Sequence, residues 1–126
     1  MATTHRGKFR GPWPKRGEIH LATLDPTVGH EIKKTKPVLI IQNDIGNEYG
    51  ETTIVAPITS TVRMPLSPVH TLLTGGVNTG LSVVSVALLN QIRTLDRRRL
   101  VKRLGTLDAQ TMQQVNEAIR ISLEVD

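Results

Sequence analysis

The chain has 126 residues, of which 38% are apolar and 21% charged, and its mean hydropathy is −0.15. These values fit one soluble globular domain with a real core and exclude a disordered polymer. The longest apolar stretches, residues 37–41 and 83–89, fall well short of the roughly 18 residues that cross a bilayer, and the absence of cysteine excludes a disulfide framework, a thiol nucleophile and a Cys-ligated zinc or iron–sulfur site. A reducing compartment, the cytoplasm, is the expectation. The net charge of +5 is local: five of the sixteen Lys and Arg precede residue 17, in a stretch without acids, and the other eleven balance eleven acids. A basic composition alone therefore does not make the body a nucleic-acid binder.

Residues 1–16 read as a basic, flexible arm and residues 17–126 as one domain. The arm mixes Gly, Pro, Thr and bases, carries only Phe9 and Trp13 as large apolar groups, and has no apolar core of the signal-peptide kind. It is either a solvated extension or an electrostatic tether for RNA phosphates, with Trp13 available for stacking.

In residues 17–24, Ile19 and Leu21 alternate with Glu18 and His20, the period of a half-buried strand, and Asp25-Pro26 ends it. A polar loop with Lys33, Lys34 and Lys36 follows. Residues 37–43 form an unbroken, largely β-branched run, the pattern of a strand buried on both faces. Residues 44–51 read as a turn and 52–59 as a third strand, in which Pro57 demands an edge or a bulge. Residues 69–73 make a short strand, 75–80 a Gly-rich turn, 81–95 a long strand or a pair of strands, and 100–104 one more short strand. Asp108 is an N-cap for a helix whose Met112, Val115, Ile119 and Leu123 recur at spacings of three and four. The fold class is mainly β (α+β), a small twisted barrel or sandwich with a C-terminal amphipathic helix.

His5, His20, His30 and His70 are scattered with no metal-ligand spacing, and no glycine-rich loop carries the Lys-Ser/Thr of a P-loop. No metal site or cofactor is expected, and composition and spacing alone stop at a small basic β-rich domain.

Three segments carry more: Lys15-Arg16-Gly17-Glu18-Ile19, Leu24-Asp25-Pro26-Thr27-Val28-Gly29-His30-Glu31, and Lys36-Pro37-Val38-Leu39-Ile40-Ile41-Gln42-Asn43-Asp44. Together they closely resemble the MazF/PemK family of toxin endoribonucleases. Val55-Ala56-Pro57-Ile58-Thr59 is similar to the family's third-strand motif, and Gln91-Ile92-Arg93-Thr94-Leu95-Asp96 to its Gln-x-Arg-Thr-x-Asp motif. The resemblance runs from about residue 15 to 124. It implies an SH3-like or CcdB/PemK-like barrel and a homodimer. It also implies metal-independent, sequence-specific cleavage of single-stranded RNA, and neutralisation by a cognate acidic antitoxin of the MazE kind. The implied reaction is attack of a ribose 2′-OH on the adjacent phosphorus, leaving a 2′,3′-cyclic phosphate and a 5′-OH. That requires a base, stabilisation of the phosphorane oxygens, and an acid for the leaving oxygen.

The family usually places an Arg before the Pro of strand two and a Thr at the end of strand three. Thr59 matches the Thr. Lys36 stands where the Arg is expected, and an ammonium is a point charge where a guanidinium grips phosphate with two parallel bonds. Lys36 supplies charge or, as an amine, serves as a base. His30 resembles a histidine of the PemK branch that assists cleavage, and imidazole suits proton transfer near neutral pH. The Arg and Asp which that branch uses on its fifth strand are replaced by Leu88 and Asn90. The resulting catalytic set is Lys36, Thr59 and His30, with Lys33, Lys34, Thr35, Gln42, Arg63, Gln91 and Arg93 as RNA-binding candidates. Each has a plainer reading. The lysines are also a solvated face, Thr59 a strand end that bonds backbone, and His30 a turn residue. Arg93 and Asp96 are equally an ion pair that holds a strand end, and the two glutamines satisfy buried backbone. Two alternatives to the nuclease are a CcdB-like toxin that inhibits a protein target by contact, and a catalytically dead RNA-binding homologue suggested by Lys36.

Overall fold

The computed structural model describes residues 13–24 and 34–126. His30, Lys33 and the first twelve residues lie outside the described residues, as do the expectations placed on them. Seven strands and two helices follow in the order β1 (Glu18–Thr23), β2 (Thr35–Ile40), α1 (Asp44–Tyr49), β3 (Thr52–Thr59), β4 (His70–Leu73), β5 (Ser85–Leu88), β6 (Arg93–Asp96), β7 (Leu100–Thr106) and α2 (Ala109–Leu123). A single 3-10 turn, Arg97–Arg99, joins β6 to β7.

Two elements differ from the sequence expectation, and in a third the structure decides between the two expected forms. β2 runs two residues earlier than 37–43, because Thr35 and Lys36 already pair with Thr23 and Ala22. It also ends earlier, because the N–H groups of Ile41 and Gln42 both donate to the Ile54 carbonyl, at 2.9 and 3.2 Å, and so break the ladder. Residues 44–49 form a short helix where a turn is expected. The Asn43 side chain caps it by accepting from the Gly46 N–H at 2.7 Å, which satisfies a donor that the first helical turn leaves orphaned. The 81–95 segment is two strands, divided at Asn90-Gln91, where the Gln91 N–H turns back to the Leu88 carbonyl at 3.1 Å.

The strands form a sheet in the order β4-β5-β3-β2-β1-β7, with β6 also paired to β3, and all described pairs are antiparallel. β3 is the hinge of this arrangement. Residues 52–55 pair with β6, whereas Ile58 and Thr59 pair with β5. The Ile54 carbonyl points at β2, so strand alternation aims the backbone polar groups of residues 53, 55 and 57 at the other neighbour. Pro57, which has no N–H to offer, therefore falls where β6 has ended and β5 has not begun. The expected flaw is real, and its form is a change of partner.

The sheet is not closed into a barrel. β7 and β4 do not pair, and the gap is bridged by the 75–80 loop, whose Asn78 carbonyl accepts from the Thr106 N–H at 2.9 Å. Two glycines allow that approach. A Cβ on Gly105 would lie 2.2 Å from the Asn78 oxygen, and one on Gly80 would lie 2.2 Å from the Leu104 oxygen.

Alternation divides the apolar residues between two faces. Ile19, Leu39, Ala56, Ile58, Ala87 and Leu73 turn to one side and form the main core with Val115 and Ala118 of α2. Ala22, Val38, Ile40, Val55 and Leu95 form a smaller cluster on the other side. Of the expected helical stripe, Val115 is buried, Met112 and Ile119 are half-buried, and Leu123 is exposed because the helix outruns the sheet it packs on. Asp108 caps α2 as expected, accepting from the Thr111 N–H at 2.7 Å, and that bond holds its carboxyl below the usual carboxylate range. Pro14 is fully buried. Arg16 ties three elements together: Nε donates to the Ile41 carbonyl (2.7 Å), Nη2 to the Asn116 side chain of α2 (2.8 Å), and its own N–H to Asp44 at the start of α1 (2.7 Å).

Gly105→Ala, introduced on β7 where backbone faces the added methyl group, should lower stability by more than about 2 kcal/mol. Urea unfolding checks this, and a loss below about 0.5 kcal/mol would mean that the loop does not close the sheet.

Candidate functional site

The strand register decides which of the expected residues meet. In the β2–β3 ladder Val38 faces Pro57, Leu39 faces Ala56 and Ile40 faces Val55. That ladder ends at Val38 and Pro57; continued by two residues, the same register would bring Lys36 of β2 into line with Thr59 of β3. Both share the parity of Val38 and Val55, so they occupy the sheet face turned away from α2. Lys36 is exposed, and Ala22 of β1 is its other neighbour. Thr59 is half-buried, and its hydroxyl oxygen accepts from the Thr61 N–H at 3.1 Å. That bond fixes the side chain at the strand end and leaves its O–H as a donor.

The remaining candidates separate. Lys34 is exposed just before β2, and Thr35, of opposite parity to Lys36, turns to the α2 side. Arg93 pairs with Val55 and shares the face of Lys36 and Thr59, but two same-face steps further along the sheet. Gln91 is exposed in the β5–β6 turn and Arg63 in the loop after β3. Gln42 is committed to the scaffold: its amide nitrogen donates to the Asn47 side chain (3.0 Å) and to the Thr52 carbonyl (3.1 Å). Asn47, fully buried, also accepts from the Thr53 hydroxyl at 2.7 Å.

The arginine run is sorted by structure in a way its sequence does not suggest. Arg97 is buried and donates through Nη1 to the carbonyls of Asn47 and Gly50 at the end of α1, a cation placed where a helix exposes its carbonyls. Arg99 donates to the Thr23 carbonyl at 3.1 Å. Asp96 pairs with Arg98 and not with Arg93. Its carboxylate takes the Arg98 guanidinium at 2.9 and 3.1 Å and the Arg98 N–H at 2.8 Å, which lowers its pKa from 3.8 to about 2.

A second charged cluster was not legible as a unit. Glu18 and His20 alternate with Ile19 on β1, and His20 lies opposite Arg103 of β7. Glu18 Oε1 accepts from His20 Nε2 at 2.9 Å and from the Lys15 N–H at 3.0 Å, and Oε2 accepts from Arg103 Nε at 3.1 Å. The spacing of Glu18 and His20 marks one strand face, but only the long-range pairing of β7 reveals the third member. Among the described residues no cluster of three His, Asp or Glu is suited to hold a metal.

Comparison with known proteins agrees with this architecture. A family profile described as "PemK-like, MazF-like toxin of type II toxin-antitoxin system" matches residues 15–123. Endoribonuclease EndoA of Bacillus subtilis is 44% identical over 109 residues, which cover 86% of this chain and 93% of that protein. Endoribonuclease MazF of Staphylococcus saprophyticus is 45% identical over 109 residues, 86% of this chain and 90% of the relative. Among solved structures, the Mycobacterium tuberculosis toxin MazF-mt6 superposes with a TM-score of 0.72 at 30% identity, covering 86% of this chain and 98% of that one.

Because the folded pKa of Asp96 is depressed, its contribution to stability is complete above pH 3.8 and is lost as pH falls through about 2. Asp96→Asn should remove this part of the acid dependence while leaving stability less affected at pH 2 than at pH 6. Thermal melts at the two values check it, and equal losses at both would refute the Arg98 pairing as the cause.

Proposed function

The chain belongs to the PemK-like, MazF-like toxin family of type II toxin–antitoxin systems, and from that premise we propose that it is an endoribonuclease which cuts single-stranded RNA at the sheet face carrying Lys36 and Thr59. The observation that supports this is the β2–β3 register, which continued two residues past Val38 and Pro57 would bring those two side chains into line on the face away from α2. Relatives that are 44% and 45% identical over most of their length are named endoribonucleases, and this favours cleavage over poisoning of a protein target by contact.

The chemistry follows from the groups available. The nucleophile is the substrate's own 2′-OH, so no metal-activated water is required. As the O2′–P bond forms and the P–O5′ bond breaks, charge accumulates on the phosphorane oxygens. Lys36 places an ammonium there, and the Thr59 hydroxyl donates a hydrogen bond whose direction is set by its bond from the Thr61 N–H. His30 assists cleavage in this reading. Arg93, Lys34 and Lys33 bind phosphates along the strand, and Gln91 and Arg63 line its path. Gln42 acts on RNA only indirectly, through the α1 scaffold that holds it. The products are a 2′,3′-cyclic phosphate and a 5′-OH. The natural partner is an antitoxin with an acidic segment that competes with RNA for the same cations, the active form is a homodimer, and the compartment is the cytoplasm.

Lys36→Ala should lower the cleavage rate by about 100-fold or more, while Lys36→Arg, which restores a planar fork, should retain or raise it. Cleavage of a long RNA in EDTA followed by end-group analysis is the measurement. Loss of activity with chelator, restored by a divalent ion, would defeat the metal-free mechanism, and an intact RNA would favour a binding role.

A further inference from the structure

We infer that His20, held by Glu18 and Arg103, is the general base that takes the 2′-OH proton beside Lys36 and Thr59. This rests on the endoribonuclease reading and adds a catalytic residue to it. The first support is placement. His20 lies opposite Val38, two residues from Lys36 on the same face, a diagonal for which side chains of an antiparallel pair sit about 7–8 Å apart. A flexible Lys36 and a bound ribose both fit across that gap.

The second support is the state of the ring. A carboxylate only accepts hydrogen bonds, so the 2.9 Å contact from Nε2 to Glu18 places the proton on Nε2 and leaves the lone pair on Nδ1. Glu18 is itself fixed by three donors: the Lys15 N–H, His20 Nε2 and Arg103 Nε. It cannot swing away without leaving a carboxylate unpaired with its side chain only 16% exposed. An imidazole locked in one tautomer by a carboxylate that would also stabilise its protonated form is the arrangement a general base needs. The third support is burial: the His20 side chain is only 10% exposed, so it is not a solvated surface residue and its one bonded nitrogen is held by Glu18.

The step balances as follows. The 2′-O–H bond breaks and its proton passes to His20 Nδ1. The O2′ electron pair forms the bond to phosphorus, the P–O5′ bond breaks, and O5′ takes a proton from water while the Lys36 ammonium stays charged beside the phosphorane oxygens. The hydroxide so formed takes the proton from His20 Nδ1, which restores the base. The charged and titratable groups around His20 in the described residues are Glu18 on its own strand, Lys36 on β2 and Arg103 on β7.

The test uses the purified full chain and a fluorescent single-stranded RNA, with rates taken from pH 5 to 9. His20→Gln keeps an amide that can donate to Glu18 but cannot titrate. It should lose about 100-fold in rate and lose the acidic limb of the pH profile. Glu18→Gln leaves the imidazole in place but replaces the carboxylate that holds its tautomer by an amide that can also donate, so the rate should fall by about tenfold or more. A merely structural role for the pair would leave the acidic limb unchanged in His20→Gln. Nitrogen-15 shifts of the wild-type ring should report the Nε2–H tautomer. A His20→Gln protein that folds and cleaves within about threefold of wild type or keeps the acidic limb, an undiminished rate in Glu18→Gln, or the Nδ1–H tautomer would overturn the assignment while leaving the nuclease reading intact. A wild-type chain that leaves RNA uncut would overturn both.

Discussion

The structure depends on one strand serving two sets of partners. β3 pairs along its first half with β6 and along its last residues with β5, while β2 follows it on the other side from Val55 to Pro57. A residue in mid-strand normally offers an N–H to one neighbour, and at the point of exchange no neighbour is present to accept one. Proline removes the donor that would otherwise be stranded. Everything beyond the exchange follows from it. β5 carries β4, β4 packs against α2 through the Thr71 hydroxyl and the Gln114 carbonyl, and Thr59 ends β3 beside β5. The same constraint that builds the core thus also places the strand end that carries Thr59.

What the sequence revealed follows the range of the interaction concerned. β1, β3, β4 and α2 were legible because period-two or helical spacing and local caps specify them, as Asp108 does for α2. The proposed partnership of Lys36 with Thr59 rests on resemblance, since the β2–β3 ladder ends at Val38 and Pro57. α1 was hidden because its six residues include Gly46 and are followed by Gly50, both marks of a turn, whereas the helix owes its existence to Asn43, Asn47 and the distant Arg97. The arginine run shows the same limit: three identical neighbours have three different fates, one buried under α1, one paired with Asp96 and one bonded to β1. Composition treats them as one charge cluster. Only tertiary contacts tell them apart.

That sorting bears on how the protein meets an anionic substrate. Arg97 and Arg98 are taken up by structural bonds, so the cationic character of the face away from α2 comes chiefly from Lys36, Arg93 and Arg103, with Lys34 at its margin. Long-range attraction from the net +5 is screened over about 8–10 Å at physiological salt, so the placement of these few cations matters more than the total. Replacing the family's Arg by Lys at position 36 therefore changes geometry more than charge. An ammonium tolerates several positions of the phosphate, and the demand for precise alignment moves to Thr59 and to the proton-transfer group.

Glu18 is the one carboxylate on that face that needs explanation, since an exposed anion there would repel RNA. Its surroundings remove the difficulty. The Lys15 N–H and His20 hold one oxygen and Arg103 the other, so its charge is spent on neighbours before a phosphate arrives. Arg103 is the exposed member, with 56% of its side chain accessible, against 16% for Glu18. A phosphate approaching from solvent therefore meets a cation first. If it draws Arg103 away, Glu18 keeps His20 and the Lys15 N–H as donors, so the ring stays oriented while an anion is bound. The cluster that keeps the apo face neutral is in this way also suited to the substrate it admits.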